Sequence, residues 1–275
     1  MFISIIIPVH NRYSLLVRAV KSILQQTHKN FELIIIDDGS DIPVRLVLPS
    51  DSRIKYYQNK RNKGVSYSRN IGIKKSSYEW VAFLDSDDEW IKDKLEKQIY
   101  FIKNNKEYLI SQTEDIWYRN GKFVNPKIKH KKLSGNFFKE SLDLCLISPS
   151  SVIINKKIFD DIGYFDEKLP ACEDYDLWLR VLTKYKVGLL RDRLIIRYAG
   201  HDNQLYNKYK AMDRFRIRTL KKILALNISN QKKILVKSKL KEKLSIILSG
   251  LKKRKKYLSY IFFYIIYKIL VNINI

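Results

Sequence analysis

Two acidic clusters are the residues of this sequence best suited to metal or nucleotide chemistry. Asp85-Ser86-Asp87 follows the apolar run 80–84, and Asp37-Asp38-Gly39-Ser40 follows the apolar run 31–36. Paired carboxylates can hold a divalent cation, and such cations bridge protein oxygens to substrate phosphates. The same residues also build ordinary polar turns, in which a carboxylate accepts backbone N–H groups and a glycine adopts a positive φ. Taken alone, each cluster therefore allows both interpretations.

The common glycine-rich phosphate loops do not occur in the sequence. The first apolar run ends in Pro8-Val-His-Asn-Arg12 rather than in GxGxxG, and no GxxxxGK[ST] is found. These patterns mark dinucleotide-binding folds and P-loop enzymes, so neither class is supported. A bound nucleotide diphosphate would need another way to balance its charge, and a cation held by Asp85 and Asp87 supplies one.

Strand and helix patterns place both acidic clusters at one edge of a sheet. From residue 1 to about 105, apolar runs alternate with amphipathic stretches, which is typical of βα units in a mostly parallel sheet. The predicted strands cover residues 3–8, 31–36, 54–57 and 80–84, and the predicted helices 15–24, 65–74 and 91–102. Ligands of open α/β sheets bind beyond the carboxyl ends of the strands, which is where both clusters fall.

The sequence pattern changes after about residue 105 and again after about residue 205. Asn120-Gly121 predicts a tight hairpin, residues 151–155 a strand, and Glu173-Asp174 the start of a helix. Beyond about residue 205 the sequence is helical and basic, with 19 Lys and Arg residues against two acidic ones. We therefore predict an α/β domain over 1–205, with a nucleotide-binding half (1–105) and an acceptor-side half (106–205), and a basic helical C-terminal region over 206–275.

Five motifs occur in the order seen in family 2 glycosyltransferases. They are Ser4-Ile-Ile-Ile-Pro8-Val-His-Asn11, Ile35-Ile-Asp-Asp-Gly-Ser40, Asn62-Lys-Gly64 with Ser68-Arg-Asn-Ile-Gly72, Phe83-Leu-Asp-Ser-Asp-Asp88 and Glu173-Asp-Tyr-Asp-Leu-Trp-Leu-Arg180. Over roughly residues 1–205 the chain thus resembles this family of inverting enzymes. The resemblance implies the GT-A fold, a Rossmann-like, mostly parallel central sheet flanked by helices. It also implies transfer of a sugar from a nucleotide-diphosphate donor, expected to be a UDP-sugar, to an acceptor hydroxyl in bacterial-type surface glycan assembly.

The resemblance assigns roles on the donor side. The residues concerned are Pro8, Asp38, Gly64, Arg69, Asp85 and Ser86, together with the metal-ligand candidate Asp87. Asp38 would contact the nucleobase, and Gly64 would let the backbone approach the ligand closely. Asp85 would contact the ribose or bind the metal, and Asp87 would be the main protein ligand of Mg²⁺ or Mn²⁺. Arg69 would lie near the base; a solvent-facing helix arginine is the alternative.

Asp174 and His201 complete the implied site. Asp174 would act as the general base that takes the proton of the acceptor hydroxyl as its oxygen attacks the anomeric carbon. The alternative is that Glu173 and Asp174 only cap the helix that follows them. His201 matches a position where related enzymes sometimes carry a histidine near the metal or diphosphate, and a plain surface histidine is the alternative.

Charge alone does not identify the partner. The chain has 275 residues and a net charge of +25, which would suit a phosphate-rich nucleic acid. Lys, Ile, Asn and Tyr are abundant together, so a compositional bias explains the charge equally well, and no nucleic-acid-reading motif occurs. We therefore predict no nucleic-acid partner. A nucleotidyltransferase, which attacks phosphorus and releases pyrophosphate, is the alternative enzyme, and a basic nucleic-acid-binding protein is the non-enzymatic alternative.

Cysteine usage and apolar segments bear on location. Cys145 and Cys172 have no metal-ligand spacing and are expected to be packed free thiols in a reducing compartment. No basic leader of a signal peptide precedes the first apolar run, and no run reaches the about 20 apolar residues of a membrane-spanning helix. Residues 251–271, a basic run followed by an apolar one, are expected to contact a membrane surface, the domain itself or a second subunit. We expect a cytoplasmic enzyme, with peripheral contact at the inner face of the membrane as one option.

Overall fold

A mixed sheet with helices on both faces organises the chain. The computed structural model describes residues 1–200, 209 and 211–272. The strands are β1 (Ile3–Val9), β2 (Phe31–Asp37), β3 (Ile54–Gln58), β4 (Trp80–Phe83), β5 (Glu89–Trp90), β6 (Ile110–Arg119), β7 (Lys122–Phe123), β8 (Ile153–Asn155) and β9 (Gly188–Ala199). The α-helices are α1 (Tyr13–Leu24), α2 (Val65–Lys75), α3 (Lys94–Asn104), α4 (Phe138–Ser141), α5 (Lys157–Ile162), α6 (Glu173–Lys184), α7 (Asp213–Leu224), α8 (Asn230–Lys253) and α9 (Tyr257–Asn272). The strand order is β3-β2-β1-β4-β8-β6-β9-β5, with β7 paired to β6.

The first half of the sheet is parallel, as the sequence predicts. Strands β3, β2, β1 and β4 run in the same direction, and every residue of β1 and β2 is buried. Parallel strands covered on both faces have continuous apolar sequences, which is why these strands are visible in the sequence. Val9 pairs with Asp37, so the carboxyl ends of β1 and β2 lie level with each other. The predicted α/β class is confirmed.

The second half of the sheet mixes strand directions. Strand β8 is antiparallel to β4 and β6, β9 is parallel to β6, and β5 is antiparallel to β9. Sequence patterns miss β9 because Arg191, Asp192 and Arg193 interrupt its apolar residues. The pairing of β5 with β9 also shortens the helix predicted at 91–102, which begins at Lys94 instead.

Two smaller predictions in this half have different outcomes. Asn120 and Gly121 have φ values of 50° and 74°, the positive pair that a two-residue type I′ hairpin requires, so the predicted turn between β6 and β7 is confirmed. The strand predicted at 151–155 begins only at Ile153, because residues 149–151 form a 3₁₀ turn.

Two apolar clusters lie on opposite faces of the sheet. Ile5 and Ile7 of β1 pack with α1 and α3, whereas Ile6 packs with α2 and α6. Helices α7 and α8 add buried residues to the second cluster, namely Ile217, Leu220, Ile223, Val236, Leu240 and Leu244. These two helices therefore pack on the α/β unit. In the part of the chain that the structure describes, no helix is long and apolar enough to cross a membrane.

Candidate active site

The acidic turn follows β4 and is fixed by a serine from the neighbouring segment. The backbone N–H of Asp88 donates to the carbonyl of Asp85 (2.9 Å), which closes the turn. The Ser150 hydroxyl accepts from the Asp85 N–H (3.1 Å) and donates to the Asp88 carboxylate (2.6 Å). Ser150 lies just before β8, the strand that pairs antiparallel with β4. The turn is thus held at the carboxyl edge of the parallel half of the sheet.

Each carboxylate of the acidic turn faces a different arginine. The pairs are Asp85 with Arg69 (2.6 Å), Asp87 with Arg12 (2.9 Å) and Asp88 with Arg197 (3.9 Å). The Asp85 side chain is 27% exposed and that of Asp87 is 14% exposed, whereas the Asp88 side chain is almost completely buried. Asp85 and Asp87 are therefore the two carboxylates of the turn that are open to solvent.

The oxygen donors of the turn suit a hard cation that keeps most of its own water. Among the described residues, no three or more His, Cys, Asp or Glu side chains are grouped so that they could hold a metal ion. Mg²⁺ is usually bound by one or two carboxylates together with substrate phosphates and water, and Asp85 with Asp87 fits such a set. His201 lies outside the described residues, so its place near the metal stays a prediction.

Negative charge is crowded at this edge of the sheet. Burial raises the pKa of Asp88 to about 8; Arg197 opposes the rise, whereas Asp87 and Asp85 add to it. The hydrogen bond from Ser150 stabilises the ionised form of Asp88 and therefore also opposes the rise in its pKa. A cation at the turn would reduce the repulsion, because an opposite charge within a few ångströms favours ionised carboxylates.

The first aspartate of the second acidic cluster is a turn residue. The buried Asp37 carboxylate accepts from the Ser40 N–H (2.9 Å) and from the Tyr56 hydroxyl (2.8 Å). Gly39, two residues after Asp37, has a φ of 70°, and a Cβ there would come within 2.5 Å of the Arg61 backbone. Both the positive φ and the close approach of the Arg61 backbone require glycine at position 39. The ordinary-turn interpretation therefore describes Asp37 and Gly39.

Asp38 has a different task, because its buried carboxylate holds the loop that leads into α2. One oxygen accepts from the Asn59 amide (2.8 Å) and the Lys63 N–H (3.0 Å), and the other accepts from the Gly64 N–H (2.7 Å). Gly64 has a φ of 95°, and a Cβ there would meet no atom within 4 Å, so conformation rather than packing requires this glycine. An ionised carboxylate has about four acceptor positions, which leaves Asp38 able to accept a further donor.

Arg69 is buried, so the solvent-facing alternative for this residue is wrong. Its side chain donates to Asp85 (2.6 Å) and to Glu173 (2.8 Å), and only 3% of the residue is exposed. Burial would lower the pKa of Arg69, but the two carboxylates outweigh that effect and raise it above its ordinary value. The guanidinium carbon also lies 5.2 Å from the Phe165 ring centre. Arg69 therefore ties the acidic turn to the start of α6.

Asp174 lies in the first turn of α6 and is partly exposed, unlike its neighbour. One carboxylate oxygen accepts from the Tyr175 N–H (2.7 Å), so the side chain satisfies one backbone donor of the helix start. The adjacent Glu173 is buried and directed to Arg69 instead. Burial and the Asp174 charge raise the pKa of Glu173, and Arg69 opposes the rise. The two acids that looked equivalent in sequence thus have separate surroundings.

Both cysteines lie close to Asp174 as free thiols. Burial raises the pKa of Cys172 to about 12, and burial followed by the Asp174 charge raises the pKa of Cys145 well above its ordinary value. Neither thiol is therefore a nucleophile near neutral pH. Cys172 has a φ of 62° at the start of α6, a conformation that no sequence pattern predicts for a cysteine.

Sequence reasoning missed Arg197, which lies between the acidic turn and the second half of the sheet. This β9 side chain is 3.9 Å from Asp88 and 3.8 Å from Asp115. Burial would lower the pKa of Arg197, but Asp88, Asp115 and the more distant Asp85 and Asp174 raise it. No motif marks this arginine, because its place depends on strand pairing alone. Arg12 was also missed, although its position directly after β1 could have identified it.

The two remaining donor-side candidates are buried. Pro8 is the penultimate residue of β1 and pairs with Ile36, and Ser86 is 3% exposed within the acidic turn. Both lie at the carboxyl edge of the parallel strands.

The fold and the acidic edge define an α/β protein whose aspartates lie beyond the carboxyl ends of its parallel strands, where open α/β sheets bind their ligands. Residues 4–163 match the family described as Glycosyl transferase family 2. The chain belongs to this glycosyltransferase family.

The relatives agree with this assignment. The chain is 38% identical to the "Uncharacterized glycosyltransferase RC0461" of Rickettsia conorii over 75% of its own length and 35% of that protein. It is 35% identical to the Escherichia coli "UDP-Glc:alpha-D-GlcNAc-diphosphoundecaprenol beta-1,3-glucosyltransferase WfgD" over 77% of this chain and 83% of that protein. The chain thus spans about a third of the length of its Rickettsia relative and most of the Escherichia coli one.

A solved structure confirms the GT-A fold. The crystal structure of S. aureus TarS 1-349 in complex with UDP-GlcNAc superposes with a TM-score of 0.73. The match covers 89% of this chain and 72% of that chain, at 21% sequence identity. At this identity the likeness concerns the fold.

Proposed function

We propose that the chain is an inverting, metal-dependent glycosyltransferase that moves a sugar from a UDP-sugar to a hydroxyl of a lipid-linked or polymeric surface glycan. The observation that carries the proposal is the buried bridge from Asp85 through Arg69 to Glu173. This bridge fixes the acidic turn relative to Asp174, which follows Glu173 in the chain. A donor-binding edge and a candidate base are thereby held at a constant separation, as a transfer reaction needs.

The donor proposal draws on the acidic edge and on the relatives. The WfgD and WfaP relatives, at 35% and 34% identity, are both named for a UDP-Glc donor. Asp38 would accept a hydrogen bond from the base, using its remaining acceptor position, and Asp85 would accept one from the ribose or bind the metal. Arg69 would act as a positioning residue, since both of its guanidinium ends are taken by carboxylates.

Asp87 and Asp85 would hold Mg²⁺ or Mn²⁺, with His201 as a further candidate ligand. When bound, the cation would balance the charge of the departing diphosphate. Arg12 adds a fixed positive charge beside Asp87 (2.9 Å) and would help to neutralise the diphosphate as well.

Asp174 would take the proton of the acceptor hydroxyl as that oxygen attacks the anomeric carbon and the bond to the diphosphate breaks. Its partial exposure lets an acceptor reach it, whereas Glu173 is held by Arg69. Both relatives named above are described as acting on a GlcNAc-diphosphoundecaprenol, so a lipid-linked glycan at the cytoplasmic side of a membrane is the acceptor class we propose.

A donor screen tests this function. The protein is incubated with UDP-Glc, UDP-GlcNAc, UDP-Gal and other nucleotide sugars in Mg²⁺, Mn²⁺ or EDTA, with and without GlcNAc-diphosphate-lipid acceptors. We expect release of UDP that needs the cation and rises with an acceptor. A parallel incubation with UTP and a sugar 1-phosphate tests the nucleotidyltransferase alternative, which would release pyrophosphate there, and full transfer activity in EDTA would refute metal dependence.

A further inference from the structure

Helix α9 is apolar on every side but is covered on only one. Its inner face packs against the core cluster through Tyr260, Phe263, Ile266 and Tyr267. Its outer face carries five large apolar residues that are each more than half exposed, namely Leu258, Ile261, Phe262, Ile265 and Ile269. A helix that is apolar all round is normally buried all round, so the outer face lacks the cover that its composition calls for.

The five exposed residues form a continuous stripe, which we call the α9 stripe. Their spacing of three or four residues places them above one another on a single helix face. Contiguous exposed apolar surface of this kind marks an interaction site. Lys268 is the one charged residue within 257–272, so little charge accompanies the stripe.

A run of five basic residues adjoins the stripe. Lys252, Lys253, Arg254, Lys255 and Lys256 are all exposed, and they cover the end of α8 and the three residues that join it to α9. The sequence has no Asp or Glu after Glu242, so no acidic neighbour in this segment offsets their charge. Basic residues beside an exposed apolar helix face complement an anionic lipid surface, which offers negative headgroups above an apolar interior.

The packing of α7 and α8 places this basic run at the Asp174 end of the molecule. The sulfur of Cys172 lies 4.0 Å from the Met212 carbonyl, so α7 begins beside the start of α6. Helix α8 starts at the other end, where the Lys232 ammonium donates to the Thr183 carbonyl (2.7 Å) near the end of α6.

Helix α8 then runs back toward the Asp174 end. Lys243 lies 3.3 Å from Asp213, the first residue of α7. The helix continues for ten residues beyond Lys243, which is about 15 Å of helix. The basic run that follows is therefore on the side of the molecule where Asp174 lies.

We propose that the α9 stripe and the basic run dock this chain on an anionic membrane surface. The stripe enters the headgroup region and the basic residues contact anionic lipid headgroups. Docking in this way places the Asp174 end of the molecule toward the bilayer, and the use of that orientation to receive a lipid-linked acceptor rests on the proposed function.

Vesicle co-sedimentation of the full chain tests the docking. The probes are phosphatidylcholine vesicles with and without 30% phosphatidylglycerol, at about 50 mM and about 500 mM salt. We expect binding to the anionic vesicles that weakens in high salt and is much weaker without phosphatidylglycerol. Lys252→Gln with Lys255→Gln should lower the partition coefficient about 25-fold, since each basic residue near the surface contributes about fivefold.

Matched variants separate the stripe from general surface effects. Leu258→Ser with Ile265→Ser should reduce vesicle binding at least tenfold and leave the melting temperature unchanged, because both side chains are exposed. Leu46→Ser with Ile128→Ser removes the same two side-chain types from other exposed positions and should bind like the unaltered protein. Lys29→Gln with Lys106→Gln is the corresponding charge control.

Two results would overturn the docking proposal. One is the absence of binding to anionic vesicles, or binding that is unchanged both in Lys252→Gln with Lys255→Gln and in Leu258→Ser with Ile265→Ser. The other is a dimer in solution that Leu258→Ser with Ile265→Ser converts to a monomer while vesicle binding is absent, which would make the stripe a contact between two copies. Metal-dependent UDP release is measured without vesicles, so failure of the proposed function is detected separately.

Discussion

At the scale of single residues, the charge of Arg69 holds the candidate site together. It neutralises two carboxylates that come from different elements, Asp85 after β4 and Glu173 at the start of α6. Removing one partner of a buried ion pair is costly, because the remaining charges stay desolvated and uncompensated. The site therefore depends on Arg69 for its geometry whether or not this residue touches the ligand.

Arg69→Met is expected to lower the free energy of unfolding by about 3–5 kcal/mol, since the buried Glu173 and the partly exposed Asp85 lose their counter-charge. Urea unfolding followed by circular dichroism measures the change. Lys157→Met is the control, because Lys157 pairs with Glu79 at the exposed surface and such pairs contribute about 0–1 kcal/mol. Equal losses in the two variants would contradict the account of Arg69.

At the scale of secondary-structure elements, Glu32 joins the first strands. Its buried carboxylate accepts from the Ser4 hydroxyl of β1 (2.6 Å), the Ser77 N–H before β4 (2.6 Å) and the Lys55 ammonium of β3 (2.6 Å). Burial would raise the pKa of Glu32, but the hydrogen bonds from Lys55, Ser4 and Ser77 outweigh it and lower the pKa below the ordinary value of 4.5.

A lowered carboxylate pKa gives stability that is present above the unfolded-state pKa and is lost as the pH falls toward the folded-state value. The wild-type chain should therefore lose stability below about pH 4.5, and Glu32→Gln should lose less over the same range. Urea midpoints between pH 7 and pH 3 measure this. The exposed Glu107→Gln variant should keep the wild-type dependence, and an unchanged dependence in Glu32→Gln would argue against the assigned role.

The parallel strands and their acidic ends could be predicted because they leave a local signal. Strands β1 and β2 are buried on both faces and so have unbroken apolar sequences, and the aspartates come directly after such runs. Strand β9 leaves no such signal, since the consecutive charged residues Arg191, Asp192 and Arg193 interrupt its apolar residues. Arg197 and its approach to Asp88 depend on β9 and were therefore not predictable from the sequence.

The positive-φ residues also include some that the sequence predicts and one that it does not. The Asn120-Gly121 hairpin was predictable because this pair accepts the two positive φ angles of a type I′ turn. The positive φ of Cys172 was not, because tertiary packing at the start of α6 imposes it on a residue with no preference for that conformation. The separate roles of Glu173 and Asp174 also required the structure, since burial distinguishes them and spacing does not.

At the scale of the whole molecule, the basic helical region is partly a structural element and partly a surface. Helices α7 and α8 bury apolar residues against the α/β core, whereas α9 leaves its stripe exposed. The basic residues behind the net charge of +25 therefore fall into two groups. Some of the basic residues pair within the fold, as Lys222 does with Asp166 and Asp176, while the run at 252–256 is exposed.

A pair of leucine variants tests whether α7 belongs to the folded core while the outer face of α9 does not. Leu220→Ala in α7 should lower the free energy of unfolding by about 2–5 kcal/mol, because the side chain is fully buried and its removal leaves a cavity. Leu258→Ala in α9 should leave stability nearly unchanged, because that side chain is 88% exposed. Thermal or urea unfolding measures both. A small effect for Leu220→Ala would mean that α7 is not part of the folded unit.

The central claim is that Asp174 serves as the base of a sugar transfer whose donor is held at the acidic turn. The most direct test is sugar transfer and donor binding by Asp174→Asn, with the exposed Asp160→Asn as the control. We predict that Asp174→Asn lowers the transfer rate by about 10²–10⁴-fold while the donor dissociation constant stays close to that of the wild type, and that Asp160→Asn changes neither. Near-normal transfer by Asp174→Asn would show that Asp174 is not the base.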